Sequence, residues 1–437
     1  MKKTLATRLI TTLPHFKAQI FRLSWFTLAF GFVKFNAFTA ALILSNFVGD
    51  VADYGLFEYA LSVGFMIAIP LDFGLNGAYP YFNLRLGQKD TRAVFFFHAV
   101  LMGSVALGLF WVNQFLGGIV PEKLLLALLI GGVVSIQALS SAMLKSHEIL
   151  LPAVLADGGL FLVLNGYNLW LYLSGNAFDP GILKLVFTAY LLFLTAWQGW
   201  LFWQKRATFS LRKYREVLRF GKHLVLSAFL IICLTGSARL FIEWFLGLEE
   251  VGYYGFYFRF AAVTVMLHQI VNIVFFKKMY QSDGRTLDRY FAMFLLLLVG
   301  GGLLLWAVIP AIFRDYLQLL ASSFHTYKGL YFILTFQMIC WIALALNENI
   351  IYREGLSAQM NRGFILLIAL MVAVLTGMHA LGILDVFRLT IVNMMAIFAA
   401  VELQSGLLRH KGIDLPLMRH TCRGILLLFW ILYVFMI

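Results

Sequence analysis

Three cations stand inside apolar runs: Lys34 in FVKFNAFTAALILSN, Arg239 in SARLFIEWF and Arg259 in YGFYFRFAAV. An ionisable side chain deep in an apolar helix costs about 2.5 to 3.5 kcal/mol on insertion scales, so each requires an opposite charge or a watery cavity. The chemistry open to such groups is anion binding, and an arginine's planar fork of donors suits the paired oxygens of phosphate or carboxylate. Arg239 and Arg259 lie at similar depths on consecutive apolar segments, where they can clamp one anion between them. A second reading stays open, because Glu243 follows Arg239 by one helical turn and is placed to neutralise it. Lys34 has no acid on its own segment from Ser24 to Asn46. Its counter-charge must come from a ligand or from Glu58, Asp72 or Asp157 on other segments. Asp72 follows Pro70 in AIPLDFGLNG, where a proline frees a carbonyl and bends the axis. It belongs either to an ordinary kinked helix or to a cavity wall, as an acid that bonds hydroxyl groups or titrates.

The elements that position these residues follow from composition. Of 437 residues 62% are hydrophobic and 13% charged, and the mean hydropathy is +0.86. That leaves too little polar surface for a water-soluble globule of this size. Apolar runs repeatedly reach the roughly 20 residues that span a bilayer as helix, without the two-residue alternation of barrel strands. The sequence predicts an all-α polytopic membrane protein with twelve spans near 23–46, 55–80, 93–115, 123–143, 150–174, 183–204, 223–246, 252–276, 289–313, 328–347, 363–383 and 387–408. A last apolar segment, Gly424 to Ile437, has 14 residues. At 1.5 Å per residue that is about 21 Å, short of a full crossing, so the segment either lies in the interface or crosses a locally thinned bilayer. The basic start, MKKTLATRLITTLPHFKAQIFRLSW, lacks the apolar core of a signal peptide and reads as an amphipathic cytoplasmic entry. His98 and His268 have no partners at metal spacing, and Cys233, Cys340 and Cys422 are dispersed, so no metal, disulfide framework or cofactor is expected. There is no phosphate-binding loop of the ATPase type.

Lysines and arginines set the orientation. Lys205, Arg206, Arg212, Lys213, Arg215, Arg219 and Lys222 share one connection, while Lys123, Lys184, Arg314, Lys328 and Arg388 lie on the opposite side. The first side is the richer in positive charge and is therefore cytoplasmic, with the N-terminus. The same asymmetry accounts for the net charge of +13 without nucleic acid as a partner. Two stretches repeat: GDVADYGLFEYALSV from Gly49 and GLEEVGYYGFYFRFAAV from Gly247. Each reads Gly, two acids, Tyr-Gly-x-aromatic, then an apolar helix. With six spans on either side of the basic connection, the repeats become equivalent outer hairpins of two lobes related by an axis along the membrane normal. The expected divisions are 1–204, a basic inter-lobe loop at 205–222, 223–408, and a basic loop with a short apolar segment at 409–437.

The paired halves, the Tyr-Gly-x-aromatic hairpins, IPLDFGLNGAYPYFNLR at the end of the second span, and VGYYGFYFRF leading to FFKKMY resemble the Wzx-type polysaccharide flippases. These belong to the multidrug/oligosaccharidyl-lipid/polysaccharide exporter superfamily. The resemblance covers essentially the whole chain. It implies a non-enzymatic flippase of a bacterial inner membrane, coupled to an ion gradient. Its cargo is an undecaprenyl-pyrophosphate-linked oligosaccharide, moved by alternating access among membrane lipids, with a glycan polymerase or glycosyltransferase as partner. The rival within the superfamily is a MATE-type antiporter of cationic drugs or metabolites. It would use carboxylates of the N-terminal lobe such as Asp72 and Asp157, whereas Lys34 favours an anionic cargo. The charge asymmetry has a direct check: Ser210→Cys and Asp53→Cys should react with an impermeant maleimide from opposite faces of the membrane. Labelling of both from the same face of intact cells would overturn the orientation.

Overall fold

The computed structural model describes residues 28, 30–88, 91–268 and 284–436. The elements in chain order are α1 (Phe30–Leu44), α2 (Val51–Asp72), α3 (Leu75–Pro80), a π-helical turn Tyr81–Arg85, α4 (Arg92–Phe115), α5 (Glu122–Ser146), α6 (Leu150–Ser174), α7 (Pro180–Lys205) and a 3₁₀ turn Arg206–Thr208. There follow α8 (Leu211–Thr235), α9 (Ala238–Leu246), α10 (Leu248–Ala261), α11 (described over 263–268), α12 (Gly284–Phe313), α13 (Gln318–Arg353), α14 (Ser357–Ala380), α15 (Val386–His410) and α16 (Pro416–Met436). The fold is all-α and polytopic, with 11 helices among the described residues long and apolar enough to cross a membrane. The start of the first expected span, the basic N-terminal entry and the FFKKMY run lie outside the described residues.

The core is made by enclosed helices and the lipid face by exposed ones. α13 is buried along most of its length, whereas α14 and α16 present large apolar side chains such as Leu366, Val434 and Phe435 outward. In water such surfaces would aggregate, but in hydrocarbon they are the solvated face.

Three expected spans are broken among the described residues: the eighth turns at Ala262, between α10 and α11, and in the second and seventh the freed backbone groups find partners, as a lipid environment requires. The break in the second span falls just beyond Pro70, at Phe73 and Gly74, both in the left-handed region with φ of 51° and 71°. The Asp72 carboxylate spans the gap, accepting the Asn76 N–H at 3.3 Å. The seventh span divides at Gly236, whose carbonyl accepts the Ser62 hydroxyl at 2.8 Å, while the nearby Leu234 carbonyl accepts Asn393 Nδ2 at 3.0 Å. α9 and α10 are joined by Gly247 alone, at φ 100°, a turn that a residue with a side chain would strain.

The stretch expected as an inter-lobe loop is mostly helix, since α8 begins at Leu211. The expected 14-residue terminal segment is also corrected. α16 has 21 residues from Pro416, about 31 Å at 1.5 Å per residue and enough for a crossing. Its start is set by a tertiary contact: buried Asp288 on α12 accepts the N–H groups of Leu417 at 3.0 Å and Met418 at 2.7 Å. Proline at the first helical position and an acid at the N-terminal amides are both favourable there.

The two repeated stretches pack against one another along α2 and α10. A Cβ on Gly55 would collide with the Leu248 carbonyl, one on Gly252 would stand 2.5 Å from the Val51 oxygen, and one on Gly255 would stand 2.6 Å from Glu58 Cγ. Tyr54 meets Phe256 edge to face, with ring centroids 6.3 Å apart. Small residues at these three places let the backbones approach closely, the usual basis of helix association in membranes. Gly55→Ala should therefore destabilise the purified protein by roughly 1 to 3 kcal/mol through overpacking. Gly31→Ala, where nothing lies within 4 Å, should be neutral. Thermal unfolding of the two variants checks this, and equal melting temperatures would refute the close crossing.

Candidate functional site

Where α2 crosses α10, one turn inward from the Tyr54-Gly55 pair, Glu58 is wholly buried. Tyr54 donates its hydroxyl to Glu58 Oε1 at 3.0 Å from the preceding turn. Gly255 leaves the space that the glutamate side chain fills. Arg259 of α10 donates its Nε to the same Oε1 at 2.6 Å, and its Nη1 lies 3.5 Å from the Ala37 carbonyl of α1. Arg239 of α9 brings Nη2 to 3.2 Å from Glu58 Oε2. That approach is coulombic, because neither Glu58 Oε2 nor Arg239 Nε has a hydrogen-bond partner among the described residues. The Arg239 guanidinium also lies over the Phe258 ring, 4.2 Å from its centroid, a cation–π contact that holds it in place.

The cluster joins one carboxylate from the first half of the chain to two guanidiniums from the second, so it retains one unneutralised positive charge. Two of the three cations singled out by the sequence are thus brought together, and the acid between them is Glu58. Glu243 does not neutralise Arg239. It pairs instead with Lys123 at the start of α5, a second ionic contact between the halves. The two lie on one face of α9 but one turn apart along it, so Arg239 reaches the wholly buried Glu58 while Glu243, nearer the α9–α10 turn, reaches Lys123.

Lys34 stands apart from this cluster. Its Nζ lies 5.5 Å from the Phe30 ring centroid, and the charges acting on it are Asp157 and Lys145. Those two form their own pair at 2.6 Å. Asp72 is also elsewhere, 14 residues along from Glu58, or about 21 Å at 1.5 Å per residue. It lines a cavity of about 240 Å³ between α2, α5 and α8, together with Asn76 and Ser135. His98 braces the α2 break, with Nε2 2.9 Å from the Leu71 carbonyl and Nδ1 2.9 Å from the Tyr214 hydroxyl of α8.

Sequence reasoning missed several participants. The sequence marks Tyr54 as part of a repeat and carries no sign that it donates to Glu58. Lys123 stands in the sequence as an ordinary charge at a helix end, with no sign that it pairs with Glu243. An asparagine chain joins α1 to α6: Asn165 donates to Asn36 at 2.6 Å and Asn168 to the Ala40 carbonyl at 2.7 Å. The i, i+3 spacing of Asn165 and Asn168 in an apolar helix was the available signal, since amides in a span seek partners on neighbouring helices.

Residues 169–299 match the model of a family described as polysaccharide biosynthesis protein. The match spans under a third of the chain and contains both arginines of the cluster. No curated protein sequence matches the chain. The match and the multi-pass helical fold together fit a membrane protein of polysaccharide biosynthesis.

The buried cluster makes a quantitative expectation. Glu58→Ala leaves two guanidiniums without their anion, and should cost about 3 to 5 kcal/mol of stability, as does removal of one partner from other buried pairs. Arg259→Ala should destabilise by a similar amount, and the double variant by about 1 to 3 kcal/mol less than the sum, because the two residues share one interaction. Thermal or denaturant unfolding of the four proteins in one detergent closes the cycle, and strict additivity would show that the pair is uncoupled.

Proposed function

We propose that the protein is a flippase for lipid-linked oligosaccharide in a bacterial inner membrane, with its N-terminus in the cytoplasm. The observation that carries this reading is the polysaccharide-biosynthesis match over the segment that bears Arg239 and Arg259. Both arginines converge on one carboxylate at the contact between the halves. A lipid-linked sugar carries its charge as phosphate, and two convergent guanidiniums with a surplus positive charge suit that group. The mutual packing of the two repeats on α2 and α10 supports two lobes that separate and close about that contact, the geometry alternating access requires. In this reading Lys34 adds to the positive field of the path, Asp72 lines it on the cytoplasmic side, and an ion gradient supplies the driving force. A glycan polymerase or glycosyltransferase would act before or after transport.

A second reading has one observation in its favour. Asp72 is a buried acid lining a cavity, the kind of group with which a MATE-type antiporter would hold a cationic drug or metabolite.

Complementation of a flippase-null strain separates the two. Lys34→Gln and Arg259→Gln should each abolish complementation, and Arg259→Lys should keep part of it, since the charge remains while the fork is lost. Membrane abundance is measured alongside. The double variant Glu58→Gln, Arg259→Gln leaves one guanidinium without its anion where Glu58→Gln alone leaves two, so it should be more abundant than Glu58→Gln yet inactive. Full complementation by Lys34→Gln and Arg259→Gln would return the reading to uncharged or cationic cargo.

A further inference from the structure

We infer that Glu58 is an internal occupant of the arginine site, standing where the cargo's diphosphate oxygens bind, so that anion binding and release of the α2–α10 contact are a single event. The inference rests on the flippase reading above and adds the group that the cargo must displace. Glu58 presents its two oxygens to two guanidiniums on two different helices, at 2.6 and 3.2 Å. It satisfies them incompletely. Arg239 Nε has no acceptor, Arg239 is aligned to Oε2 without hydrogen-bond geometry, and one positive charge remains. A diphosphate offers more oxygens and at least two negative charges, so it can engage Arg239 Nε and balance both arginines, which a carboxylate cannot.

The consequence for conformation follows from desolvation. Once displaced, the Glu58 carboxylate has lost both cations and, as it leaves the site, the Tyr54 hydroxyl as well. A charge so placed cannot remain in a dry interface and must reach water. Reaching water means parting α2 from α10, because Gly255 packs directly on the Glu58 side chain. The cluster is closed in this structure, with Glu58 wholly buried and Arg239 nearly so. This is the state expected while the internal anion holds the site.

The test uses the purified full chain in lipid nanodiscs with inorganic pyrophosphate as probe. The wild type should bind weakly, and Glu58→Gln should bind about fivefold more tightly or better, because the competitor is gone while both cations stay. Tyr54→Phe keeps the carboxylate but removes its neutral donor, and should tighten binding by about twofold, which guards against a poorly folded Glu58 variant. Arg259→Gln in the Glu58→Gln background should lose the gain. In a background with Cys233, Cys340 and Cys422 replaced by serine, Val251→Cys, buried at the start of α10, should react faster with an outer impermeant maleimide when Glu58→Gln is added. Equal pyrophosphate affinity of wild type and both variants, all lost on Arg259→Gln, would overturn the internal-occupant inference while leaving an anion site at the arginines. Absence of pyrophosphate binding in every form, or binding indifferent to Arg259, would overturn both.

Discussion

Two guanidinium groups in the interior of a membrane protein demand an anion, and the identity and position of that anion constrain everything around it. Glu58 reaches Arg239 and Arg259 only because α2 and α10 approach at backbone distance. That approach exists only because Gly55, Gly252 and Gly255 carry no Cβ. The repeated Tyr-Gly sequences are therefore the two faces of one contact, with each glycine occupied by the partner stretch. The tyrosines divide the labour. Tyr54 donates to Glu58, and Tyr254 lies under Arg239 at 5.6 Å while its hydroxyl accepts from Gln337 at 3.4 Å.

The other end of α2 shows a different economy of contacts. There the helix breaks at Phe73 and Gly74, and the first turns of α8 fit against the break, with Gly221 packed on the Phe73 carbonyl. Tyr81 stacks on Phe220 at 4.4 Å and His98 links the α2 break to Tyr214 of α8. Between these contacts and the arginine cluster lies the cavity that Asp72 lines. An ionic, glycine-lined contact at one end and an aromatic contact with a cavity at the other give the two halves unlike closures. The ionic one depends on charge balance at the arginine cluster, and the aromatic one depends mainly on apolar packing.

The helices themselves were legible along the chain. Span length and hydropathy gave the fold class, because both depend on the local cost of placing side chains in hydrocarbon. Less was legible where the chain is irregular. Pro70 signals a kink in the second span, whereas the break lies three residues on, where Gly74 can adopt a left-handed backbone. The basic character of 211–222 suggests a loop, yet the segment is helix. The last helix starts eight residues earlier than its apolar run, because charges at Arg419 and Arg423 mask the first turns of α16.

From its sequence alone this chain determined that it crosses a membrane many times as helices, that its Tyr-Gly-x-aromatic motif occurs twice, and that Lys34, Arg239 and Arg259 each require negative charge. Those properties are set residue by residue, through transfer cost and helical period. Which acid answers which cation was decided by tertiary structure. Glu243, four residues from Arg239, went to Lys123, while Glu58 joined Arg259 across a separation of 201 residues. The start of α16 was likewise fixed by Asp288 on another helix. Partner choice depends on how each helix is rotated and how deeply two backbones approach, and those variables belong to pairs of helices.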